Sequence, residues 1–472
     1  MINKQTKIVC TLGPASETYE TILRMAREGM DIVRLNFSHG NHSEHLRRIE
    51  LIRKVCEENN LNLGIMLDTK GPEIRLGDFE KETEIYHKGE IVTIVKDEML
   101  GTHDKFYIQC PELFDDIKEN DYILVNDGKQ RLTVIEKAND HLKARVEVNG
   151  PLSSKKGCNV PGVKLSMPFL SKKDDDDIRF GCANDVDFIA ASFVRRADDV
   201  LQIRRILAEM GKPKIGIIAK IENEEGFQNI ESILEVADGV MVARGDLGVE
   251  IKTAFVPIYQ KKIIQAANKY GKTVITATHM LDSMTANPRC TRAEASDVAN
   301  AVLDGSDAVM LSSETAAGEY PIEAVRTMAE IVTAVEKIIP YRENLEHSKK
   351  SSAKTVQDAI GISISDATLT LDIGAIIVFT QGGTTARRLS KYRPSVPIYA
   401  VTFTKSTQRK LSLCWGVHAI YSRVKNEMTN DDELASAIAK GQGLKPGQLI
   451  IISAGYPTGE GSANMMKIVE VK

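Results

Sequence analysis

The sequence predicts an α/β protein: a (β/α)8 barrel, an all-β domain inserted after the barrel's third strand, and a C-terminal α/β domain on an open sheet. Three observations carry this expectation. Short β-branched, apolar runs bounded by turn residues alternate with longer segments of helical spacing, which is the pattern of parallel β/α architecture. Eight such runs can be counted. Between Gly71 and about Leu170 the pattern changes to alternating strands with turn signals. At roughly 150 residues per domain, a chain of 472 residues holds about three domains.

The first three barrel strands are expected at Thr6 to Leu12, Asp31 to Phe37 and Leu63 to Thr69. The insertion follows, with strands at Glu90 to Val95, Tyr122 to Val125, Arg131 to Glu136 and Leu142 to Val148. Asn126-Asp127-Gly128 and Asn149-Gly150-Pro151 mark its turns. The remaining barrel strands are Val186 to Phe193, Lys214 to Ile221, Gly239 to Leu247, Thr273 to His279 and Asp307 to Glu314. A helix to about Ile339 is followed by Pro340 and the polar stretch Glu343 to Lys354, which reads as a linker. The last unit has strands at Ala375 to Thr380, Ile398 to Phe403, Gly416 to Ser422, Gln448 to Gly455 and Ile468 to Val471. These limits divide the chain into 1–70 and 171–342 for the barrel, 71–170 for the insertion and 343–472 for the C-terminal domain.

Composition narrows the function. Lys and Arg number 61 against 65 Asp and Glu, a net charge of −4. That leaves no basic excess for a nucleic-acid backbone, so the expected partner is small. Seven scattered cysteines, none in a C-x-x-C pair, argue against a disulfide framework or thiolate zinc site and for a reducing compartment. No apolar run approaches the ~18 residues of a membrane span, and Met1 to Lys7 lacks a signal-peptide core. The expected location is the cytoplasm.

Active sites of such barrels lie at the C-terminal ends of the strands, and seven of the eight runs end in polar residues. These are Arg34 to Ser38, Asp68-Thr69-Lys70, Ser192, Lys220 to Asn223, Arg244-Gly245-Asp246, Thr278-His279 and Ser312-Ser313-Glu314. Carboxylates (Asp68, Glu222, Asp246) interleaved with cations (Arg34, Lys220) describe a site for metal ions and an anionic substrate together. Magnesium takes oxygen ligands and often only one or two carboxylates; Glu222 and Asp246 are the candidates.

These residues carry a resemblance. Arg34-Leu-Asn-Phe-Ser-His-Gly40, Leu67-Asp-Thr-Lys-Gly-Pro-Glu-Ile-Arg75, Lys220-Ile-Glu-Asn223, Met241-Val-Ala-Arg-Gly-Asp-Leu-Gly248, Thr276-Ala-Thr278, Thr291-Arg-Ala-Glu294 and Asp297 to Gly305 resemble the pyruvate kinase family, in family order from about Lys4 onward. The resemblance implies transfer of the phosphoryl group of phosphoenolpyruvate to ADP, giving ATP and pyruvate, the last step of glycolysis. It implies that Lys220 contacts the migrating group, Arg34 grips the phosphate, and Glu222 and Asp246 hold Mg2+ or Mn2+. Asn36, Ser38, Asp68 and Thr69 resemble the family's K+ site, and Glu73 the residue type of potassium-dependent members. Gly245 and Asp246, opening a short helix, would seat the substrate carboxylate, and Thr278 would take part in proton delivery. His39, Arg75 and Lys156 would contact the nucleotide, with the insertion as a lid. The resemblance further implies a homotetramer, and a sugar-phosphate or nucleotide effector at Thr380, Gly382, Thr384 and Thr385, helped by the loop Thr458 to Ser462.

Three positions depart from the family pattern: His279 where Gln is more usual, Cys290 where Pro is commoner, and Ser313 in place of a frequent Gly. None removes a charged catalytic group. The alternatives are a metal-dependent pyruvate or enolpyruvate lyase on the same barrel, and a non-catalytic sensor using the C-terminal phosphate seat. Other signals have plainer readings. Of the evenly spaced His39, His42 and His45, the resemblance uses only His39 and the other two fit an exposed helix start; Gly271-Lys272-Thr273 reads as a turn, and Asp174 to Asp177 as the solvated first turn of a helix.

Overall fold

The computed structural model describes residues 4–422, 431–455 and 463–472. Eight parallel strands close into a barrel: Lys7–Thr11, Ile32–Asn36, Gly64–Asp68, Phe188–Ala191, Gly216–Ile221, Gly239–Ala243, Thr273–Ala277 and Ala308–Leu311. Each pairs with its neighbours in sequence, and the first closes on the eighth through Lys7↔Ala308 and Val9↔Met310. The strands read as unbroken apolar runs because both faces are covered. Val9, Ile32, Met66, Ile218, Met241 and Ile275 fill the interior, while their alternates, such as Ile8, Val33, Ile65 and Ile217, pack against the helices. Leu413 of the C-terminal region completes the interior cluster.

Strand ends differ from the sequence expectation where polar residues take over. The sixth strand stops at Ala243, not Leu247, and residues Arg244–Glu250 turn at once into helix. The insertion forms a seven-stranded sheet in the order Ile74–Arg75, Gly157–Asn159, Tyr122–Val125, Gln130–Lys137, His141–Val146, Ile91–Val95, Lys105–Tyr107, with a separate ribbon of Gly150–Ser153 on Thr83–Tyr86. The four central strands are those the alternation predicts. The other strands have two to four residues, too short to show a period. Asn126, Asp127 and Gly128 all have left-handed φ, as the turn signal requires.

The C-terminal sheet runs Val417–Tyr421, Ile398–Thr402, Ile373–Phe379, Leu449–Gly455, Ala463–Glu470, with only the last strand antiparallel. That strand begins five residues before the expected Ile468. The stretch read as a linker is a correction: Tyr341–Lys350 is a helix, anchored by the single buried residue Leu345. One apolar side chain in ten gives no periodicity to read.

Candidate active site

Four strand ends of the barrel rim meet at Lys220. Its Nζ lies 3.1 Å from Asp68 Oδ1, 2.9 Å from Glu222 Oε1 and 2.7 Å from Ser192 Oγ. Arg34 joins from the second strand, donating from Nε to Asp68 Oδ2 at 2.6 Å and from Nη1 to Thr11 Oγ1 at 2.9 Å. The second carboxylate oxygen of Glu222 accepts from the backbone N–H of Phe193 at 2.5 Å, a residue in the left-handed region. Arg34, Asp68, Lys220 and Glu222 are all less than 10% exposed, so charge here is scarcely screened by water.

Burial alone would raise the Asp68 pKa, yet Arg34 and Lys220 outweigh it and hold the carboxyl below its ordinary value. Burial likewise opposes the charge on Lys220, but Asp68 and Glu222 together push its pKa above the ordinary lysine value. Glu222 goes the other way. Burial, aided by Asp246 and only partly offset by Lys220, pushes it up to about 7. The rim therefore sets the cations Arg34 and Lys220 among the carboxyls of Asp68 and Glu222, with Asp246 close enough to act on Glu222.

Gly245 and Asp246 lie in the first turn of helix Arg244–Glu250. The Gly245 N–H donates to Thr278 Oγ1 at 2.7 Å, and that hydroxyl donates to the carbonyl of Ala277 at 2.7 Å. Thr278 and His279 both have left-handed φ, of 66° and 52°, a genuine outlier for β-branched Thr278 that the surroundings must hold in place. Arg244 holds it: Nη2 donates to the Thr278 carbonyl at 2.7 Å, Nε to that of Ala277 at 3.2 Å, and Nη1 pairs with Asp297 at 2.7 Å. The sequence reading put Arg244 on the rim without giving it this task. Only its position after the sixth strand signalled it.

Of Asn36, Ser38, Asp68 and Thr69, register sets the first and third side by side, and the other two follow at the same strand ends. Asn36 pairs with Asp68 across the second and third strands. Asn36 Oδ1 accepts from the Ser38 N–H at 3.1 Å, and Thr69 Oγ1 from the Ser192 N–H at 3.1 Å. All four donors are oxygen, as a hard monovalent cation requires. Glu73 pairs with Arg75 at 2.6 Å and with Lys70 at 3.5 Å.

Between the rim and the insertion lies a cavity of about 450 Å³, lined among others by Arg75, Lys156, Asn159, Asp246 and Glu250. Arg75 and Lys156 thus face Asp246 across it. His39 does not line it; this residue is exposed, and its carbonyl accepts from His45 Nε2 at 2.9 Å. His42 is exposed at the first position of helix His42–Asn59, as expected, and pairs with Asp177 at 2.6 Å; His45 is the correction, being buried and stacked on Phe37. Asp174 and Asp175 stand in a helix's first turn as expected and Asp176 is exposed, but the solvated reading is corrected for two of the four. Asp174 and Asp177 are buried, Asp174 in a capping box with Ser171.

In the C-terminal domain, Thr380 Oγ1 accepts from the Gly383 N–H at 3.0 Å, and helix Thr384–Lys391 starts immediately after. Exposed Gly382 has open space where a side chain would stand. Thr384 Oγ1 accepts from Arg387 at 3.4 Å, and Thr385 is buried. The loop Thr458 to Ser462 lies outside the described residues.

A parallel barrel that presents buried cations and carboxylates at its strand ends, beneath a second domain, defines a barrel enzyme acting on an anionic substrate. A family model for the pyruvate kinase barrel domain matches residues 3–325, and one for the pyruvate kinase alpha/beta domain matches residues 358–469. A pyruvate kinase of Staphylococcus epidermidis is 50% identical over 470 residues, covering 98% of this chain and 80% of its own length. One of Geobacillus stearothermophilus is 48% identical over 474 residues, covering 99% of this chain and 80% of its own. The chain belongs to the pyruvate kinase family, a family of phosphotransferases. Among the described residues no helix is long and apolar enough to cross a membrane.

Proposed function

We propose that the protein transfers the phosphoryl group of phosphoenolpyruvate to ADP, releasing pyruvate and ATP. The observation that carries this reading is the buried Lys220, held positive between Asp68 and Glu222 and beside Arg34. Phosphoryl transfer needs little covalent help; its barrier falls through in-line positioning and neutralisation of charge on the equatorial oxygens. Arg34 grips the phosphate and Lys220 faces the migrating group. The P–O bond to the enol oxygen breaks as an ADP oxygen binds phosphorus, and the enolate carbon then takes a proton. Thr278, locked by Arg244 and Gly245, holds its hydroxyl on that side for proton delivery. Gly245 and Asp246 open the helix that receives the substrate carboxylate.

Glu222 and Asp246 suit Mg2+ or Mn2+. Among the described residues no three His, Cys, Asp or Glu side chains gather into a metal cage, so the ion would share these two carboxylates with substrate oxygens and water. When bound, it supplies positive charge against the repulsion of two polyanions. Asn36, Ser38, Asp68 and Thr69 suit K+. Arg75 and Lys156 lie where they can reach ADP phosphates, and His39 would have to swing in from outside the cavity. Thr380, Gly382, Thr384 and Thr385 suit a phosphorylated effector, since a helix start beside hydroxyls and an open glycine favours an anion. We also assign the protein to the cytoplasm and to a homotetrameric assembly, by family analogy.

The lyase alternative leaves Arg75 and Lys156 in the cavity with nothing to do. A coupled assay with phosphoenolpyruvate, ADP, magnesium and potassium tests the proposal. Pyruvate should form only with ADP present, and sodium in place of potassium should lower the rate sharply. Pyruvate formed equally without ADP would discard the transfer; indifference to potassium would discard the Asn36, Ser38, Asp68 and Thr69 assignment.

A further inference from the structure

The insertion meets the barrel in two ways. At its root it is pinned: Arg195 donates from Nη1 to the Leu165 carbonyl at 2.8 Å and from Nη2 to that of Met167 at 3.0 Å, and Asp174 accepts from the Gly71 N–H at 3.0 Å. Away from the root, a single side-chain hydrogen bond among the described residues crosses the cleft. Asn159 Nδ2 donates to Glu250 Oε1 at 2.8 Å.

Both ends of that bond stand on elements that carry chemistry. Asn159 ends the strand Gly157–Asn159, which follows Lys156 directly and pairs with Ile74–Arg75 through Gly157↔Arg75. Glu250 ends the helix whose first turn holds Gly245 and Asp246. Both residues line the cavity. A domain hung on two chain crossings moves relative to its neighbour unless a contact stops it, and here the contact joins the strand that adjoins both insertion cations to the helix of the candidate metal ligand.

We propose that Asn159 and Glu250 form the latch that holds the insertion closed over the nucleotide, so that both are positioning residues for Lys156 and Arg75. The inference rests on the reading of this cleft as the ADP site. A latch acts through the fraction of molecules that are closed: weakening it lowers the apparent affinity for the ligand that needs closure. ADP should feel this loss. Phosphoenolpyruvate, gripped by Arg34 and Lys220 on the barrel, should not.

The test uses the full-length enzyme at about pH 8.5, above the value of about 7 to which burial raises the Glu250 carboxyl. Asn159→Leu should raise the KM for ADP about tenfold, the weight of one hydrogen bond to a charged acceptor. The KM for phosphoenolpyruvate should stay within about twofold. Asn159→Ser gives the same reading should Asn159→Leu melt early. Asn159→Asp, which sets carboxylate against carboxylate, should be at least as damaging, and the pair Asn159→Asp with Glu250→Gln should recover most of the loss by reversing donor and acceptor. An unchanged KM for ADP in Asn159→Leu or Asn159→Ser, or a double variant no better than Asn159→Asp, overturns the latch. Wild-type enzyme without ADP-dependent transfer would instead overturn the functional reading beneath it.

Discussion

Two lysines are buried at opposite ends of the same barrel, and they have opposite fates. Lys220 at the rim is 8% exposed and Lys7 at the foot 2% exposed. Burial opposes the charge of both. For Lys7, whose Nζ donates to the Val417 carbonyl at 2.7 Å, burial wins and pushes the pKa down to about 8, with Asp31 and Glu336 only partly opposing it. For Lys220, Asp68 and Glu222 within 3.1 Å outweigh burial, and the charge is fixed. The difference teaches that burial does not by itself decide whether a lysine stays charged; paired carboxylates do, at a desolvation cost to the fold.

The sharpest way to break this comparison is at the rim. Lys220→Met should cut kcat by about two to three powers of ten, the weight of a preorganised donor lost from a transition state. The KM values should move far less. A near-wild-type turnover in steady-state kinetics would put Lys220 in the same class as Lys7. The next largest effect is expected at the foot, on stability alone. Buried Asp187 accepts from Arg53 at 3.1 Å, from Arg409 of the C-terminal domain at 2.8 Å and from the Ile65 N–H at 2.9 Å. Asp187→Ala leaves two guanidinium groups without their anion and should cost about 3 kcal/mol, read by denaturant unfolding, with kcat within about twofold. A fall in kcat comparable to that of Lys220→Met would erase the division of labour between the two ends.

The rim was legible in the sequence and the foot was not, for a physical reason. A parallel strand buried on both faces must be apolar throughout, so a switch to Lys220-Ile-Glu222 or Asp68-Thr69 stands out against the run that precedes it. The eight runs revealed the barrel in the same way. Lys7 sits at the polar start of its strand, where nothing local marks it as buried; one of its partners, the Val417 carbonyl, lies 410 residues on in the C-terminal domain. Asn159 and Glu250 escaped notice for a related reason. They are 91 residues apart, and neither interrupts a pattern, because the strand around Asn159 has three residues. The helix Tyr341–Lys350 was lost to its own polarity. Contacts made across domains have no local period, and they are what the sequence hid.

The smallest expected effect is at Lys7 itself, and its sign depends on pH. In the unfolded chain this lysine titrates at its ordinary value of 10.5, in the fold at about 8. Between these two values the unfolded state holds more protons, so this group makes the fold more stable as pH rises. Below about 8 the burial cost of the charge is present in full, and near 10.5 it is gone. Lys7→Met removes the charge and also the bond to the Val417 carbonyl, which offsets much of the gain. The variant should therefore exceed wild type by about 1 kcal/mol at pH 7, the advantage shrinking through pH 8 to 10 and vanishing or reversing above it. Thermal unfolding of both proteins across that range measures the difference. A variant less stable than wild type at pH 7, by an amount that does not change with pH, would mean that Asp31 and Glu336 hold Lys7 as firmly as Asp68 and Glu222 hold Lys220, and the contrast between foot and rim would be lost.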